Sequence, residues 1–413
     1  MDFTIAEEIR RKLEELDAFI EREIRPLERE HPHFFDHRRE HARTDWENGG
    51  RPRREWEELL REMRRRADAA GHLRYGLPHE LGGQAGSNLA MAIIREHLAE
   101  KGLGLHNELQ TESSIVGNFP IVMLLLRYGS ASQKAEFLEG MITGTHRVGF
   151  GLTEPLHGSD ATWLGTTGVR EGDGWILNGQ KRFNSGLHDA NYDLVFARTS
   201  GQPGEAEGIT AFLVPTDAPG FSVDFMWWTF NMPSDHAEVT LHAVRVPNDA
   251  IVGEQGRGLE VAQAFVHENR IRQAASGVGA ARYCIRESVR YARERVVFGR
   301  PLWQNQAIQF PLAELHTECE LVRNLVYKTA WQLDRGDAMQ VSDHVSMCNY
   351  RANRLACDAA DRAIQVHGGL GYTRHLPFEH IYRHHRRYRI TEGSEEIQIR
   401  RVAGILFGQR AKR

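Results

Sequence analysis

Two stretches near the C-terminus decide how the rest of this 413-residue chain is read: Ala363–Ile364–Gln365–Val366–His367–Gly368–Gly369–Leu370–Gly371–Tyr372–Thr373 and Ile390–Thr391–Glu392–Gly393–Ser394–Glu395–Glu396–Ile397–Gln398. Leu355, Ala359, Ala363 and Val366 recur at helical spacing, so a helix is predicted to run into Gly368–Gly369 and stop there. Paired glycines let backbone come close to a ligand, often a phosphate; they serve equally well as a plain helix C-cap. Gly393 is predicted to open a second amphipathic helix, with Ile399, Val402 and Leu406 on one face. Glu392 stands just before it, either as a site carboxylate or as an N-terminal acid stabilised by the helix dipole.

Composition bounds what the chain can be. Its length allows a sizeable core and two or three domains. Lys+Arg 52 against Asp+Glu 56 gives a formal net charge of −4, and no overall basic excess points to nucleic acid. The four cysteines (Cys284, Cys319, Cys348, Cys357) are scattered in the C-terminal half. None forms a CxxC pair, which suits a reducing compartment and gives neither a disulfide framework nor a zinc site. The opening Met1–Glu8 segment is acidic and lacks the apolar core of a secretory signal. No apolar run is long enough to span a bilayer. A soluble, cytoplasmic protein is expected, with no membrane or nucleic-acid partner.

Along the chain, residues 1–145 read as helical, with Ile5, Ile9, Leu13, Leu16 and Ile20 forming one apolar stripe. In the charged stretch that follows, His33, His37 and His41 are spaced by four. On a helix they would share a face suited to metal ligands; the other reading is a solvated His/Arg-rich segment, and no metal is expected. Residues 146–253 change character. Short β-rich runs appear at 147–152, 175–177, 194–197, 209–214 and 239–246, and Glu171–Gly172–Asp173–Gly174 reads as a hairpin turn. Thr199–Gly208, rich in Gly, Glu and Pro, is expected to be mobile. Residues 254–413 return to helix, with long segments predicted at 259–298, 304–335 and 341–367.

Three further stretches carry candidate chemistry. Phe150–Gly151–Leu152–Thr153–Glu154–Pro155–Leu156–His157–Gly158–Ser159–Asp160 is a strand running into a loop, which can aim backbone N–H groups and Thr153 at an electron-rich ring edge. It is equally compatible with an ordinary loop. Leu177–Asn178–Gly179–Gln180–Lys181–Arg182–Phe183–Asn184–Ser185–Gly186 reads as a hairpin with a packed Phe. Arg295–Val296–Val297–Phe298–Gly299–Arg300–Pro301, with Gln306 beyond it, reads from its residues alone as ordinary solvated arginines around a turn, though a guanidinium is a group suited to a phosphate.

Together these stretches resemble the acyl-CoA dehydrogenase family, densely from residue 147 to 402. The resemblance implies an α+β multidomain fold: an N-terminal helical domain (1–145), a middle β-barrel-like domain (146–253) and a C-terminal four-helix-bundle domain (254–413). It implies FAD as cofactor, α,β-dehydrogenation of an acyl-CoA, an electron-transfer flavoprotein as electron acceptor, and a homo-oligomer, tetramer or dimer. Glu392 falls on the catalytic base. Phe150, Leu152, Thr153, Gly158 and Ser159 would lie along the flavin, with Ser159 also facing the acyl-CoA. Phe183, Asn184 and Ser185 would line the flavin too, and Ser185 keeps a hydroxyl for its N5. Arg295 would reach the FAD pyrophosphate of a neighbouring subunit. Phe298, Gln306, Gln365, Val366, Gly368, Gly369, Ser394 and Glu396 complete the implied cofactor contacts, while Arg270 and Gly393 are implied at the substrate. The thioester oxygen would accept from a ribityl hydroxyl and from the Glu392 N–H.

The sequence departs from the family pattern at Asn184 (usually Ile), His384 (usually Asp) and Thr391 (commonly Tyr). The run His384–His385–Arg386–Arg387 is expected to bear on the pocket entrance. Some relatives place the base near Arg270. That position is Asn269, which is not basic, so Glu392 is favoured and Glu268 is next in line. An oxidase or monooxygenase of the same fold is the alternative, and a DNA-binding relative a more distant one, prompted by the basic Arg383–Arg389 run.

Overall fold

The computed structural model describes residues 4–110, 112–336 and 338–408; the side chains of Glu268, Ala338 and Met339 lie outside that description, and with them the alternative base position. In chain order the first helices are α1 (Glu7–Phe19), α2 (Arg25–Glu30), α3 (Arg39–Arg43), α4 (Arg54–Ala69) and α5 (Asn88–Glu100), with a two-strand ribbon, β1 (Thr44–Asp45) and β2 (Arg51–Pro52), before α4. Helix α1 forms because Ile9, Leu16 and Phe19 recur on one face and are buried. The three spaced histidines do not share a helical face. Pro32–Phe34 is a 3-10 turn, His37 stands in the turn after it, and only His41 lies on α3. Pro32 fits the first position of that tight turn but cannot continue the preceding helix. Among the described residues no group of three or more His, Cys, Asp or Glu is placed to hold a metal ion.

Helices α6 (Pro120–Tyr128) and α7 (Ala131–Thr143) follow, the latter opened by a Ser130/Gln133 capping box. The strands are then β3 (Val148–Gly151), β4 (Thr167–Glu171), β5 (Gly174–Ser185), β6 (Tyr192–Arg198), β7 (Ile209–Pro215), β8 (Phe221–Met226), β9 (His236–Pro247) and β10 (Ile251–Val252). They build one eight-stranded sheet in the order β10-β7-β6-β3-β5-β9-β8, with β4 pairing β5 and β6. Strands β3 and β6 run parallel; β5 and β9 form the long antiparallel pair. The predicted hairpin is present, Glu171 pairing Gly174. β6 and β7 are buried on both faces, which explains their continuous apolar runs. The segment Thr199–Gly208, expected to be mobile, is tied down instead. The Arg198 guanidinium donates to the carbonyls of Thr162 (2.7 Å), Ser200 (3.3 Å), Glu205 (3.1 Å) and Glu207 (3.2 Å).

The C-terminal third holds α8 (Gly258–Glu294), a small β11 (Val296–Val297)/β12 (Arg300–Pro301) hairpin, α9 (Gln306–Leu333), α10 (Ser342–His367), α11 (Phe378–Arg387) and α12 (Glu395–Leu406). Compact packing divides the chain into two units. One draws on Met1–Ala42, Glu58–Asn118 and Asn269–Lys412, the other on Arg43–Glu57 and Phe119–Glu268. The core of the first is a helical bundle in which Ala274, Val278 and Ala281 of α8 meet Val322 and Val326 of α9 and Ala352, Leu355 and Ala359 of α10. Small residues let these helices approach closely: a Cβ at Gly279 would lie 2.2 Å from the Glu96 carbonyl on α5. All four cysteines are free and buried in this bundle. The second unit is cored by Leu177, Val195, Phe212, Val214, Val239 and Leu241 from the sheet. Among the described residues no helix is long and apolar enough to cross a membrane.

Candidate active site

Glu392 stands in the tight turn between α11 and α12. The second helix begins at Glu395, not at Gly393, because both Glu392 (φ 57°) and Gly393 (φ 83°) are left-handed. Such a conformation is unusual for a residue with a Cβ. Three hydrogen bonds hold it: the Glu392 carbonyl accepts from Arg270 Nε (2.9 Å), Arg270 Nη2 (2.6 Å) and Gln398 Nε2 (3.0 Å). Gly393 is favoured as glycine by its left-handed φ of 83°, and a Cβ there would in addition crowd Arg270 Nη2 at 2.9 Å. Arg389 and Arg354 both reach Glu395 at 3.0 Å and fix the far side of the turn. Among the described residues, the backbone N–H of Glu392 has no acceptor. Arg270 therefore supports the Glu392 main chain with two of its donors, whatever else it meets.

The Glu392 side chain is half-buried, and its carboxyl is pushed up to about 7. Burial is the main cause and the Glu112 carboxylate adds to it, while Arg270, Arg272 and Arg387 pull the other way. Glu112 lies at the centre of a charged cluster. It accepts from Arg387 Nη2 at 2.8 Å and makes close contacts with Arg272 and the Tyr388 hydroxyl. Burial works to raise the Glu112 carboxyl, but Arg272 and Arg387 outweigh it and hold it below the usual range. Arg387 also donates to the carbonyls of Leu109 (3.2 Å) and Gln110 (3.3 Å), and Arg272 to Asn269 Oδ1 (2.6 Å). A carboxyl poised near neutrality beside a second, firmly ionised carboxylate is an arrangement suited to a general base.

The basic run on α11 is not an exposed entrance. His384 and His385 are buried, and desolvation together with the Arg387 charge keeps both rings neutral, His385 at about 3. Arg383 pairs with Glu379 and Glu40, Arg387 with Glu112 and Arg389 with Glu395, so carboxylates match these guanidiniums.

The other C-terminal candidates are spread along the bundle unit. Arg295 is exposed at the end of α8, without an ion pair among the described residues. Phe298 (φ 49°) is fully exposed at the tip of the β11/β12 hairpin, and Gln306 is exposed at the first position of α9. Helix α10 ends as predicted at His367. Gln365 points outward while Val366 is buried in the bundle, leaving its main chain for any ligand. Gly368 takes φ 60° and ψ −138°, and a Cβ at Gly368 or Gly369 would meet nothing within 4 Å, so open space lies over this backbone. Ser394 caps α12 without a side-chain bond, and Glu396 is exposed on its first turn.

In the β unit, Phe150 stacks on Phe265 (4.2 Å, 12°). Leu152 and Thr153 follow at half-exposed positions, and Gly158 and Ser159 are exposed, with no atom within 4 Å of a Cβ built on Gly158. Arg182 N–H donates to the Thr153 carbonyl at 2.8 Å, so the loop is sewn to β5. Phe183 (φ 63°) occupies a bulge in the β5–β9 pairing and is 47% exposed; Ser185 is exposed two residues on. Asn184 differs: its side chain is wholly buried.

The sequence model of the acyl-CoA dehydrogenase N-terminal domain matches residues 6–145, that of the middle domain residues 149–244, and that of the C-terminal domain residues 256–407. The chain belongs to the acyl-CoA dehydrogenase family. A 3-(aryl)acrylate reductase of Clostridium sporogenes is 33% identical over 85% of this chain and 91% of its own length. The glutaryl-coenzyme A dehydrogenase of a glutaryl-CoA complex superposes with a TM-score of 0.82 at 27% identity, covering 99% of this chain and 98% of that one. Butyryl-CoA dehydrogenase from Megasphaera elsdenii gives 0.79 at 27% identity, covering 98% and 100%. As a member of the acyl-CoA dehydrogenase family the chain is an oxidoreductase. Sequence reading singled out Glu392 but not Glu112, Arg272 and Tyr388 around it, and it named Arg387 only as part of the basic run. Their one signal was charge at helical positions flanking Arg270 and Glu392; the partner, Glu112, is 160 residues or more away in sequence.

Proposed function

We propose that this chain removes the α and β hydrogens of an acyl-CoA thioester, with Glu392 as the base. The observation that carries the reading is the Glu392 turn: a carboxyl pushed up to about 7, on a residue whose carbonyl is clamped by Arg270 and whose N–H has no acceptor among the described residues. An α-hydrogen beside a thioester is a very weak acid. Its removal needs both a base and a donor to the carbonyl oxygen on which charge develops. The Glu392 carboxylate takes the proton, and the Glu392 N–H donates to the thioester oxygen. Arg270 and Gln398 hold the next peptide, Glu392–Gly393, through its carbonyl, and so anchor the turn from which that N–H projects. A seated acyl chain excludes more water, which strengthens the base.

The residues present fit FAD. Exposed Phe183 and Ser185, the open backbone at Gly158 and at Gly368–Gly369, and exposed Arg295, without an ion pair among the described residues, offer an aromatic face, a hydroxyl, phosphate-approaching backbone and a cation. Bound FAD supplies the acceptor for the β-hydride. We assign Phe150, Leu152, Thr153, Gly158, Ser159, Phe183, Ser185, Arg295, Phe298, Gln306, Gln365, Gly368, Gly369, Ser394 and Glu396 to its surroundings, with Asn184 and Val366 contributing main chain. Ser159, Arg270 and Gly393 are assigned to the substrate side. An electron-transfer flavoprotein is the proposed oxidant and a homo-oligomer the proposed assembly.

A spectral titration tests the reading. The purified protein is expected to be yellow, to bleach with one or more members of an acyl-CoA panel, and to be reoxidised by an electron-transfer flavoprotein faster than by oxygen. Aryl-substituted acyl-CoAs belong in the panel because one relative is named a 3-(aryl)acrylate reductase. A colourless protein that gains no flavin spectrum when supplied with FAD would end it.

A further inference from the structure

The buried face of the sheet beneath the Phe150–Ser159 stretch carries a polar pair that the mechanism above does not use. Asn184 on β5 and Asp193 on β6 are both wholly buried. Strand β3 lies between their strands, and the two side chains meet across it, Asn184 Nδ2 donating to Asp193 Oδ2 at 2.5 Å. The contact exists because β3 presents glycine on that face. A Cβ on Gly151 would lie 2.7 Å from Asn184 Nδ2 and 2.9 Å from Asp193 Oδ2, and one on Gly149 would lie 2.8 Å from Asp193 Oδ1. Two oxygens of the pair, Asn184 Oδ1 and Asp193 Oδ1, have no partner.

The bulge explains how Asn184 comes to face inward. Pairing runs Arg182 to Glu238 and then Asn184 to Ala237, so Phe183 is the extra residue. Without it, alternation from buried Lys181 would bury Phe183 and Ser185 and turn Asn184 out. With it, Lys181 and Asn184 both point inward while Phe183 and Ser185 are exposed. Lys181 is engaged elsewhere, donating to Glu154 at 2.7 Å and to the Leu152 carbonyl at 3.4 Å. Asn184 is thus the first inward anchor after the bulge.

We infer that Asn184 and Asp193 form a neutral acid–amide pair that holds the Phe183 bulge, and that they are positioning residues for the two flavin-facing side chains, Phe183 and Ser185. A protonated acid and a primary amide can close a two-bond ring, N–H to one acid oxygen and O–H to the amide oxygen. Such a ring would give both orphaned oxygens a partner; an ionised Asp193 would leave both without one. Burial pushes the Asp193 carboxyl up to about 7, opposed by the Asn184 bond and by the Lys181 charge. The inference rests on the flavin reading above.

The test compares wild type with Asp193→Asn, which keeps an amide–amide ring, and with the double variant Asn184→Leu/Asp193→Leu, which replaces the pair by apolar groups. The wild-type minus Asp193→Asn difference spectrum at pH 6 is expected to show the infrared C=O stretch of one protonated carboxylic acid, the Glu392 band cancelling between the two proteins. Asp193→Asn should keep the wild-type flavin spectrum and FAD affinity. The double variant should fold, yet shift the flavin absorption band, lower kcat more than it changes KM, and weaken FAD binding about tenfold, the scale of one lost buried hydrogen-bonded contact. If Asp193→Asn folds but shifts the flavin as far as the double variant, the acid–amide account is overturned. If yellow wild type and the double variant share spectrum, FAD affinity and kcat, the pair is only structural and this inference alone falls. A wild type that takes up no FAD would instead bring down the flavin reading on which it rests.

Discussion

Glu392 holds a left-handed backbone angle that costs roughly 1 kcal/mol for a residue with a Cβ, and the Arg270–Gln398 clamp on its carbonyl offsets that strain. Glu392→Gln preserves the shape and removes the proton acceptor. FAD should stay bound and substrate should still perturb its spectrum, while kcat falls by about 10²–10⁴ and exchange of the α-hydrogen with solvent deuterium stops. Near-normal bleaching would place the base elsewhere. Because Glu392 acts as a carboxylate, kcat/KM should rise with pH through about 7. Stability follows the opposite sign. The folded protein binds this proton more tightly than the unfolded chain, so the Glu392 contribution is lost as pH rises from the ordinary carboxyl range through 7. Glu392→Gln should therefore be more stable than wild type at pH 8, on the order of 2 kcal/mol after allowing for partial solvent contact. A second substitution reads the Glu112 field. Glu112→Gln removes a like charge and should move the midpoint of the kcat/KM profile to lower pH; an unmoved midpoint would mean that Glu112 does not act on the base.

Among the elements, β5 does most to shape the loop after β3. The Lys181–Glu154 pair is almost fully buried, with Glu154 also accepting from the N–H groups of Gly165 (2.6 Å) and Thr166 (2.9 Å). Lys181→Met leaves that carboxylate without its cation and should lower unfolding stability by about 3 kcal/mol in a denaturant titration. A loss within experimental error would mean that the two N–H groups suffice. The elements also show what can be read from sequence. The Glu171–Gly174 hairpin and the stop at Gly368 were legible because their chemistry is local. Strands β4 and β8 were not: β4 is exposed at most positions, and β8 is a mostly exposed edge strand, so neither carries the apolar run that marked β6 and β7. The predicted helix at 259–298 stops at Glu294 because Val296–Pro301 pairs with itself, a choice the apolar spacing does not record. In the site, Glu392 was visible through its motif, but the Glu112–Arg272–Arg387 cluster depends on tertiary contact alone. Phe183 was identified as an aromatic; its bulge was not, since a single inserted residue leaves no mark in the composition.

At the scale of the whole molecule, apolar side chains are left uncovered along one stretch of the bundle: Phe298, Trp303, Phe310, Leu321 and Trp331 are all exposed. Single exposed hydrophobes are ordinary, but five along one hairpin and the helix after it, with Arg295 exposed at its start, suit the proposed face between subunits. Sedimentation should show a dimer or tetramer, and a monomer with full FAD occupancy would count against the proposed assembly. The cysteines carry a different consequence. Cys284, Cys319, Cys348 and Cys357 are at most 1% exposed, and desolvation pushes every thiol upward, so a maleimide added to the native protein has nothing to react with. The β unit contains no thiol at all. Labelling is thus a stopwatch wired to one half of the chain: each modification event timestamps an opening of the helical bundle, and the β unit can come apart without starting it.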